Sequence, residues 1–220
     1  MNILARYVPF YNGDTNNLFF ATVKKYFPMK AQYSRVMNEH DEVEAAFNEA
    51  GIIRFSGESY VTHLERVSLI NIDTRVRSRG RYSLNYTDVI FTLHHDTLED
   101  LEGLNGYNLG FFKREFGEDF AIDLLSVSNT KVDGRFFKDK MAAEADTYRR
   151  VVASRVRSQI CKLCDRLDFF IDYHSVSREA TDDKIAKTRL YLMDVAWRLN
   201  VLPCELEMAM LIAEGRVKPI

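Results

Sequence analysis

Residues 142–173 read AAEADTYRRVVASRVRSQICKLCDRLDFFIDY and show the clearest periodicity in the chain. Large apolar residues recur there at every third or fourth position, the spacing that places side chains on one face of an α-helix. These residues are Tyr148, Val152, Val156, Ile160, Leu163 and Leu167. The pattern predicts one long helix with Asp165 in its second half.

Helical spacing also occurs in most of the remaining chain. The four prolines lie at positions 9, 28, 203 and 219, so the long middle of the chain lacks the strongest helix breaker. Further helices are predicted at residues 41–50, 60–71, about 88–99, 109–116, 119–127, 181–199 and 203–214. The sequence therefore predicts an all-α fold.

Arginines at alternate positions distinguish residues 73–82 from their helical neighbours. They are Arg75, Arg77, Arg79 and Arg81. A period of two is typical of an extended segment or hairpin, here a short insertion between two helices. Such a row of cations could gather phosphates or contact an anionic partner. The simpler interpretation, which we favour, is a charged and solvated loop or hairpin edge.

The composition is that of an ordinary globular protein. The 220 residues are 46% hydrophobic and 28% charged, which is enough for one sizeable core. We expect one domain over residues 41–220, with residues 1–40 as an N-terminal extension packed on it. A formal net charge of -2 argues against nucleic acid or an acidic membrane as a partner. The lack of a long apolar run or signal-peptide pattern indicates a cytoplasmic protein without a membrane span.

The string Leu93-His94-His95-Asp96-Thr97-Leu98-Glu99-Asp100 is the most informative one for chemistry. It places an imidazole beside a carboxylate, with two more carboxylates one helical turn later. Burying these groups against an apolar helix is unfavourable unless something compensates their charge, and a divalent cation would do so. The alternative is a helix end that exposes them to water.

Two other helices carry polar residues in apolar surroundings. His63 lies at the start of the helix predicted for residues 60–71. Asp165 and Arg166 interrupt the apolar face of the segment quoted first. Three helices with such residues indicate one shared polar centre.

The ordered set His, His-Asp, Asp in an all-α chain resembles the HD superfamily of metal-dependent phosphohydrolases. Residues 54–63, RFSGESYVTH, are similar to Arg-Lys-Ser-Gly-Glu-Pro-Tyr-x-x-His of the RelA/SpoT-type hydrolase domain and the small alarmone hydrolases. Residues 95–100, HDTLED, and 162–167, KLCDRL, resemble their His-Asp-x-x-Glu-Asp and Lys-Leu-Ala-Asp-Arg-Leu. The resemblance runs from about residue 43 to residue 212 and implies an HD-domain helical bundle.

The resemblance also implies roles for individual residues. The metal ligands would be His63, His95, Asp96 and Asp165, with Mn²⁺ favoured among the ions that suit imidazole and carboxylate ligands. Glu99 and Asp100 would orient the attacking water or move its proton. The substrate-binding set would be Arg54, Ser56, Lys131 and Arg166. Arg166 could instead be a structural ion-pair partner.

The chain departs from the family pattern at two places that contact the nucleotide in the family. Phe55 replaces a lysine, and Asp168-Phe169 stands where an asparagine follows Asp-Arg-Leu. Three functions are therefore considered. They are a (p)ppGpp-type 3′-pyrophosphohydrolase, an HD phosphohydrolase for another nucleotide or phosphoester, and a non-catalytic nucleotide-sensing domain. The expected partner is a small-molecule nucleotide substrate, and the sequence is compatible with a homo-oligomer.

Overall fold

The computed structural model describes residues 3–11, 13–104, 106–129, 131–132, 135–136 and 139–217, which are mostly helical. The helices are α1 (Thr15–Tyr26), α2 (Lys30–Glu49), α3 (Tyr60–Arg77), α4 (Tyr86–His94), α5 (Thr97–Asp100), α6 (Leu109–Phe116), α7 (Glu118–Val127), α8 (Lys140–Ala153), α9 (Val156–Ile171), α10 (Arg178–Lys187), α11 (Met193–Leu199) and α12 (Pro203–Ala213). Two antiparallel strands of two residues each, β1 (Lys131–Val132) and β2 (Arg135–Phe136), precede α8. The prediction of an all-α fold is confirmed.

Helix α3 occupies the middle of the bundle. It packs against α1, α2, α4 and α9, and most of its residues are buried. Because a helix surrounded by protein must pair its polar groups internally, Ser68 bonds the Thr92 hydroxyl of α4 at 2.7 Å. The packing brings α3, α4 and α9 together. Of the predicted metal ligands, His63 lies on α3 and Asp165 on α9, and His95 and Asp96 directly follow α4.

The N-terminal segment is part of this packing. Helix α1 contacts α3, and Phe19 and Val23 of α1 are fully buried. The helix predicted for residues 41–50 begins eleven residues earlier, at Lys30. The division placed between residues 40 and 41 therefore falls inside α2.

The prediction of an extended insertion near residues 73–82 is wrong for the first half of this segment, because α3 continues to Arg77. The arginines there have partners at helical spacing. Arg75 Nε donates to Asn71 Oδ1 at 2.8 Å, and Arg77 Nε donates to Asp73 Oδ2 at 2.8 Å. Side chains four residues apart share one face of a helix, so these contacts stabilise the helical form. A turn follows rather than a hairpin.

The long helix predicted for residues 142–173 is interrupted. Ser154 has extended backbone angles, φ −81° and ψ 178°, and separates α8 from α9. Its hydroxyl donates to Val151 O at 2.8 Å, a local bond by which serine competes with the helical pattern. Val152 and Val156, which the periodicity placed on the buried face, are 41% and 37% exposed.

The helix predicted for residues 88–99 is also interrupted. Asn85 caps α4, which ends at His94, and α5 begins at Thr97. His95 and Asp96 lie in the turn between them. Both residues keep right-handed helical backbone angles.

The other predicted helices correspond to α6, α7 and α12. The helix predicted for residues 181–199 begins at Arg178 and contains a π-helical turn over Thr188–Leu192. Within the described residues, no helix is long and apolar enough to cross a membrane.

Candidate metal centre

Four side chains from three parts of the bundle meet beside the N-terminal half of α3. His63 Nε2 lies 3.4 Å from Asp96 Oδ2 and 3.7 Å from Asp165 Oδ1. His95 Nε2 lies 3.2 Å from Asp96 Oδ2 and 3.8 Å from Asp165 Oδ1. The structure thus brings together all four residues predicted as metal ligands.

The two imidazoles are oriented by bonds at their other nitrogens. His95 Nδ1 lies 2.7 Å from Thr92 O, which can only accept, so this nitrogen carries the proton. His63 Nδ1 lies 2.7 Å from Asp168 Oδ2. A neutral ring held this way presents its Nε2 lone pair. Both Nε2 atoms are buried and have no hydrogen-bond partner among the described residues.

The carboxylates and imidazoles of the centre shift one another's pKa values. Burial acts to lower the pKa of His95, but Asp96 and Asp165 outweigh it and raise that pKa to about 9. Burial acts to raise the pKa of Asp96, but His95 and His63 hold it below its usual range. His63, His95 and Asp96 offer donor atoms within 4.8 Å of one another. Imidazole nitrogens and carboxylate oxygens that converge in this way suit a divalent cation.

Lys162 is a further residue of the site, beyond those predicted from the sequence. Its Nζ lies 2.8 Å from Asp165 Oδ2, one turn away on α9. Burial acts to raise the pKa of Asp165, but Lys162 and His95 hold it well below its usual range. One oxygen of Asp165 therefore pairs with the lysine while the other faces the imidazoles. The spacing of three residues within KLCDRL was the available signal.

Asp168, the residue noted as a departure, connects several elements behind the centre. It is fully buried and accepts bonds of 2.7 Å from His63 Nδ1, Arg66 Nε and the Tyr11 hydroxyl. Burial acts to raise the pKa of Asp168, but Arg66 and His63 hold it below its usual range. Asp168 is thus a charged acceptor that fixes the ring of His63.

Tyr60 connects the centre to Asp100. Its hydroxyl lies 2.8 Å from both Asp96 Oδ2 and Asp100 Oδ2. Its ring stacks on Phe47 at 4.2 Å between centroids with the planes 8° apart. The position of Asp100 is therefore tied to that of a candidate ligand.

Glu99 is held by Asn129, in the segment that follows α7. Its carboxylate accepts bonds from the Asn129 amide nitrogen at 3.0 Å and from Asn129 Nδ2 at 2.7 Å. Thr147 in turn donates to Asn129 Oδ1 at 2.8 Å. Glu99 thus has a fixed orientation on α5, directly after the turn that carries Asp96. Asn129 was not found in the sequence because its partner is thirty residues away.

Arg54 is a buried cation beside the centre with unused donors. Its side chain is 10% exposed, and its Nη2 lies 3.6 Å from Asp168 Oδ2. Its guanidinium carbon lies 4.3 Å from the Phe55 ring centroid and 5.7 Å from that of Tyr60. Among the described residues, neither Nε nor Nη2 of Arg54 has a hydrogen-bond partner. These donors are suited to an anionic ligand.

Two other predicted substrate residues are not linked to the centre by the structure. Ser56 donates to Glu58 Oε2 at 3.2 Å within the loop before α3. The backbone of Lys131 lies in β1, whereas its side chain is outside the described part of the structure.

Arg166 is buried on α9, one residue after Asp165. It donates to the Tyr148 hydroxyl at 2.5 Å and lies 5.7 Å from the ring centroids of Tyr148 and Phe169. No carboxylate of the described residues lies within ion-pair distance of it, and its Nε has no partner among them. The alternative of a structural ion pair is therefore not observed in that part of the chain.

The two phenylalanines that differ from the family motifs contact each other. The rings of Phe55 and Phe169 meet edge to face, with centroids 6.0 Å apart. Phe55 is 40% exposed and covers Arg54, while Phe169 lies beside Arg166. The predicted substrate arginines thus each contact one of these rings.

Neighbouring His94 does not join the centre. It is buried, its Nε2 lies 2.8 Å from Glu39 Oε2, and its ring packs on Phe112. Cys161 and Cys164 are buried free thiols. These residues belong to the packing of the bundle.

Comparison of the sequence with models of protein families and with curated proteins found no match. The class of protein is therefore inferred from the geometry of the centre together with the motifs that supply its residues.

Proposed function

We propose that the chain is a metal-dependent phosphohydrolase. The observation that carries this proposal is the pair of buried, unpartnered Nε2 atoms of His63 and His95, which face the carboxylates of Asp96 and Asp165. Two imidazoles and two carboxylates suit Mn²⁺, Fe²⁺ or Zn²⁺. The resemblance to the HD superfamily favours Mn²⁺.

We infer further that the reaction is removal of the 3′-pyrophosphate from a nucleotide of the (p)ppGpp type. The support is the ordered set of motifs, together with Arg54 and Arg166 as buried cations near the carboxylate cluster. Guanidinium groups recognise phosphate oxygens with paired N–H donors.

A bound divalent metal would acidify water and polarise a phosphoryl oxygen, so that hydrolysis needs no covalent intermediate. The chain's own residues would supply proton transfer and orientation. Asp100 is the candidate to accept the proton of the attacking water, because the Tyr60 hydroxyl ties its carboxylate to Asp96 of the ligand set. Glu99, fixed by Asn129, would orient that water.

Arg54 would stabilise the negative charge that grows on the phosphoryl oxygens. Its unused Nε and Nη2 donors are desolvated, and a buried charge–charge contact is worth more than an exposed one. The ring of Phe55 and that of Tyr60 hold its guanidinium in place. Positioning without reorganisation is the main contribution such a residue makes to a rate.

A second candidate is an HD phosphohydrolase for another nucleotide or phosphoester. The contact between Phe55 and Phe169 favours it, because both stand at positions that contact the nucleotide in the family. A non-catalytic nucleotide sensor is a weaker third candidate. A pure binding site does not require Glu99 and Asp100 beside the ligand set.

The test is a substrate screen with Mn²⁺ and with a chelator. It includes ppGpp, pppGpp, their adenosine analogues and nucleoside monophosphates. We expect Mn²⁺-dependent release of pyrophosphate from the 3′-pyrophosphorylated nucleotides, lost in Arg54→Gln but kept in Arg114→Gln, an exposed arginine on α6. Turnover of other phosphoesters alone would select the second candidate. Tight nucleotide binding with no turnover of any compound would select the third.

A further inference from the structure

A basic cavity lies at the end of α3 away from the metal centre. It has a volume of about 390 Å³ and lies between the C-terminal end of α3 and the turn that joins α11 to α12. Its lining includes Arg77, Arg79 and Arg81. Fourteen residues of α3 separate His63 from Arg77, roughly 20 Å at 1.5 Å per residue. These arginines therefore cannot contact a substrate at the metal centre.

The three arginines differ in how their charges are used. Arg77 bonds Asp73, Glu205 and the Tyr7 hydroxyl. Arg81 makes a long bond of 3.4 Å to a backbone carbonyl. The guanidinium group of Arg79 has no hydrogen-bond or ion-pair partner among the described residues. The backbone of Arg79 is in the left-handed region, with a φ of 53°. Two of the three guanidinium groups thus keep free donors.

The opposite wall of the cavity offers further donors. Helix α12 begins there at Pro203, and its N-cap residue, Leu202, supplies no side-chain cap. The first N–H groups of such a helix lack helical acceptors and lie at its positive end. Thr74 also lines the cavity. Within the described part of the chain, its buried hydroxyl has no hydrogen-bond partner apart from the weakly bonding thiol of Cys164.

The charge of the lining is net positive. Its one carboxylate among the described residues, Glu205, is already paired with Arg77 at 3.1 Å. Apolar groups from Ile3, Val201 and the Tyr82 ring complete the lining. The cavity therefore combines a cationic edge with an apolar wall, at a volume within the usual range for small-molecule sites.

We propose that this cavity is a second, non-catalytic site for a phosphorylated small molecule of nucleotide size. Its phosphate would lie against Arg79, Arg81 and the first turn of α12. The apolar part would lie against the Tyr82 side of the cavity. The site would not need the metal, and the proposal does not depend on the reaction proposed above.

The experiment uses metal-free protein in the presence of a chelator. Inorganic pyrophosphate and GDP are titrated by calorimetry into the wild type, the double variant Arg79→Gln/Arg81→Gln and a matched double variant, Arg114→Gln/Arg149→Gln. Arg114 and Arg149 are exposed arginines on α6 and α8. We expect saturable binding that weakens at least tenfold in the first double variant and stays unchanged in the second.

A second readout locates the bound molecule. Cys204 lines the cavity and is the exposed one of the three cysteines. A thiol reagent should therefore label Cys204 first, and GDP should slow this labelling in the wild type but not in Arg79→Gln/Arg81→Gln. Unchanged affinity in that variant, no saturable binding in the wild type, or loss of binding in Arg54→Gln instead would overturn the proposal. Unaltered circular dichroism and thermal melting establish that the variants are folded.

Discussion

Asp168 Oδ2 lies 2.7 Å from His63 Nδ1, and both residues are fully buried. This contact joins α9 to α3 directly behind the candidate metal centre. Because the carboxylate accepts the Nδ1 proton, the Nε2 lone pair of His63 is directed toward Asp96 and Asp165. The residue that departs from the family pattern is therefore a positioning residue of the site.

Replacing Asp168 with Asn should lower metal affinity about 10–100-fold, the usual effect of losing a partner that orients a ligating histidine. The amide keeps the volume but replaces one of the two acceptor oxygens with an NH2 donor, so either the His63 bond or the bonds from Arg66 and Tyr11 are lost. Calorimetric titration with Mn²⁺ measures the effect. Asp172→Asn is the matched control, since Asp172 bonds Arg66 at 3.1 Å without touching His63. Equal affinities in the two variants would contradict the assignment.

Asp168 should also make the stability of the metal-free protein sensitive to acid. Its pKa lies below the usual range in the folded state. The unfolded state therefore binds the proton first, and stability is lost as the pH falls below about 4, the ordinary carboxyl pKa. Urea unfolding of metal-free protein between neutral pH and about pH 3 should give a shallower pH dependence for Asp168→Asn than for the wild type. Parallel curves would show that Asp168 is not the titrating group.

Replacing His95 or Asp165 with Ala should abolish hydrolysis and lower the bound metal content together. Loss of one of four ligands removes both affinity and geometry. Metal analysis of the purified variants is the measurement, with His174→Ala as the control because His174 is exposed and offers no donor atom to the cluster. Full metal occupancy with wild-type turnover would remove the substituted residue from the site. Helicity should be retained in all three.

Glu99→Gln and Asp100→Asn should keep the metal and lose roughly 10²–10⁴-fold in rate, the usual contribution of a positioned acid or base. Asn129→Ala should produce a smaller loss in kcat, because it removes the side-chain bond to Glu99 Oε1 and keeps both the carboxylate and its bond from the backbone nitrogen of residue 129. Single-turnover rates and metal content distinguish these effects. A variant that loses the ion while staying folded would make its residue a ligand instead.

Phe55 and Phe169 should make the enzyme tolerant of the base. Stacking accepts any base, whereas hydrogen bonds to a base edge reject the wrong one strongly. We predict kcat/KM values for guanosine and adenosine 3′-pyrophosphates within about tenfold, or ~1.4 kcal/mol in activation free energy. A hundredfold preference for guanine would contradict this prediction and leave the hydrolase intact. Phe55→Lys should raise the preference if the ring at this position causes the tolerance.

Local spacing was sufficient to predict the helices that carry the site. The periodicity around His63 and Asp165 is a property of neighbouring residues, and α3 and α9 form where it occurs. The order of the motifs also anticipated that His63, His95, Asp96 and Asp165 would meet. Their separation along the chain did not matter, because each lies on, or directly beside, a helix that packs in the middle of the bundle.

Other features of the structure depend on contacts between residues far apart in the sequence, which local spacing cannot predict. Asp168 and Arg66 are 102 residues apart, and Arg77 and Glu205 are 128 apart. No local pattern connects such pairs. The alternate arginines therefore resembled an extended edge, although tertiary and helical partners keep Arg75 and Arg77 in α3. The break at Ser154 depends on one hydroxyl that bonds its own backbone turn.

The most direct measurement of the central claim is the product formed from ppGpp. Wild-type protein loaded with Mn²⁺ should convert ppGpp to GDP and pyrophosphate in equal amounts, as followed by chromatography of the nucleotides and an assay for pyrophosphate. Asp165→Ala, at the same concentration and with intact helicity, should form neither product. Unchanged ppGpp with the wild type would contradict the 3′-pyrophosphohydrolase reaction. Equal rates in the wild type and Asp165→Ala would contradict the assignment of His63, His95, Asp96 and Asp165 as a hydrolytic metal centre.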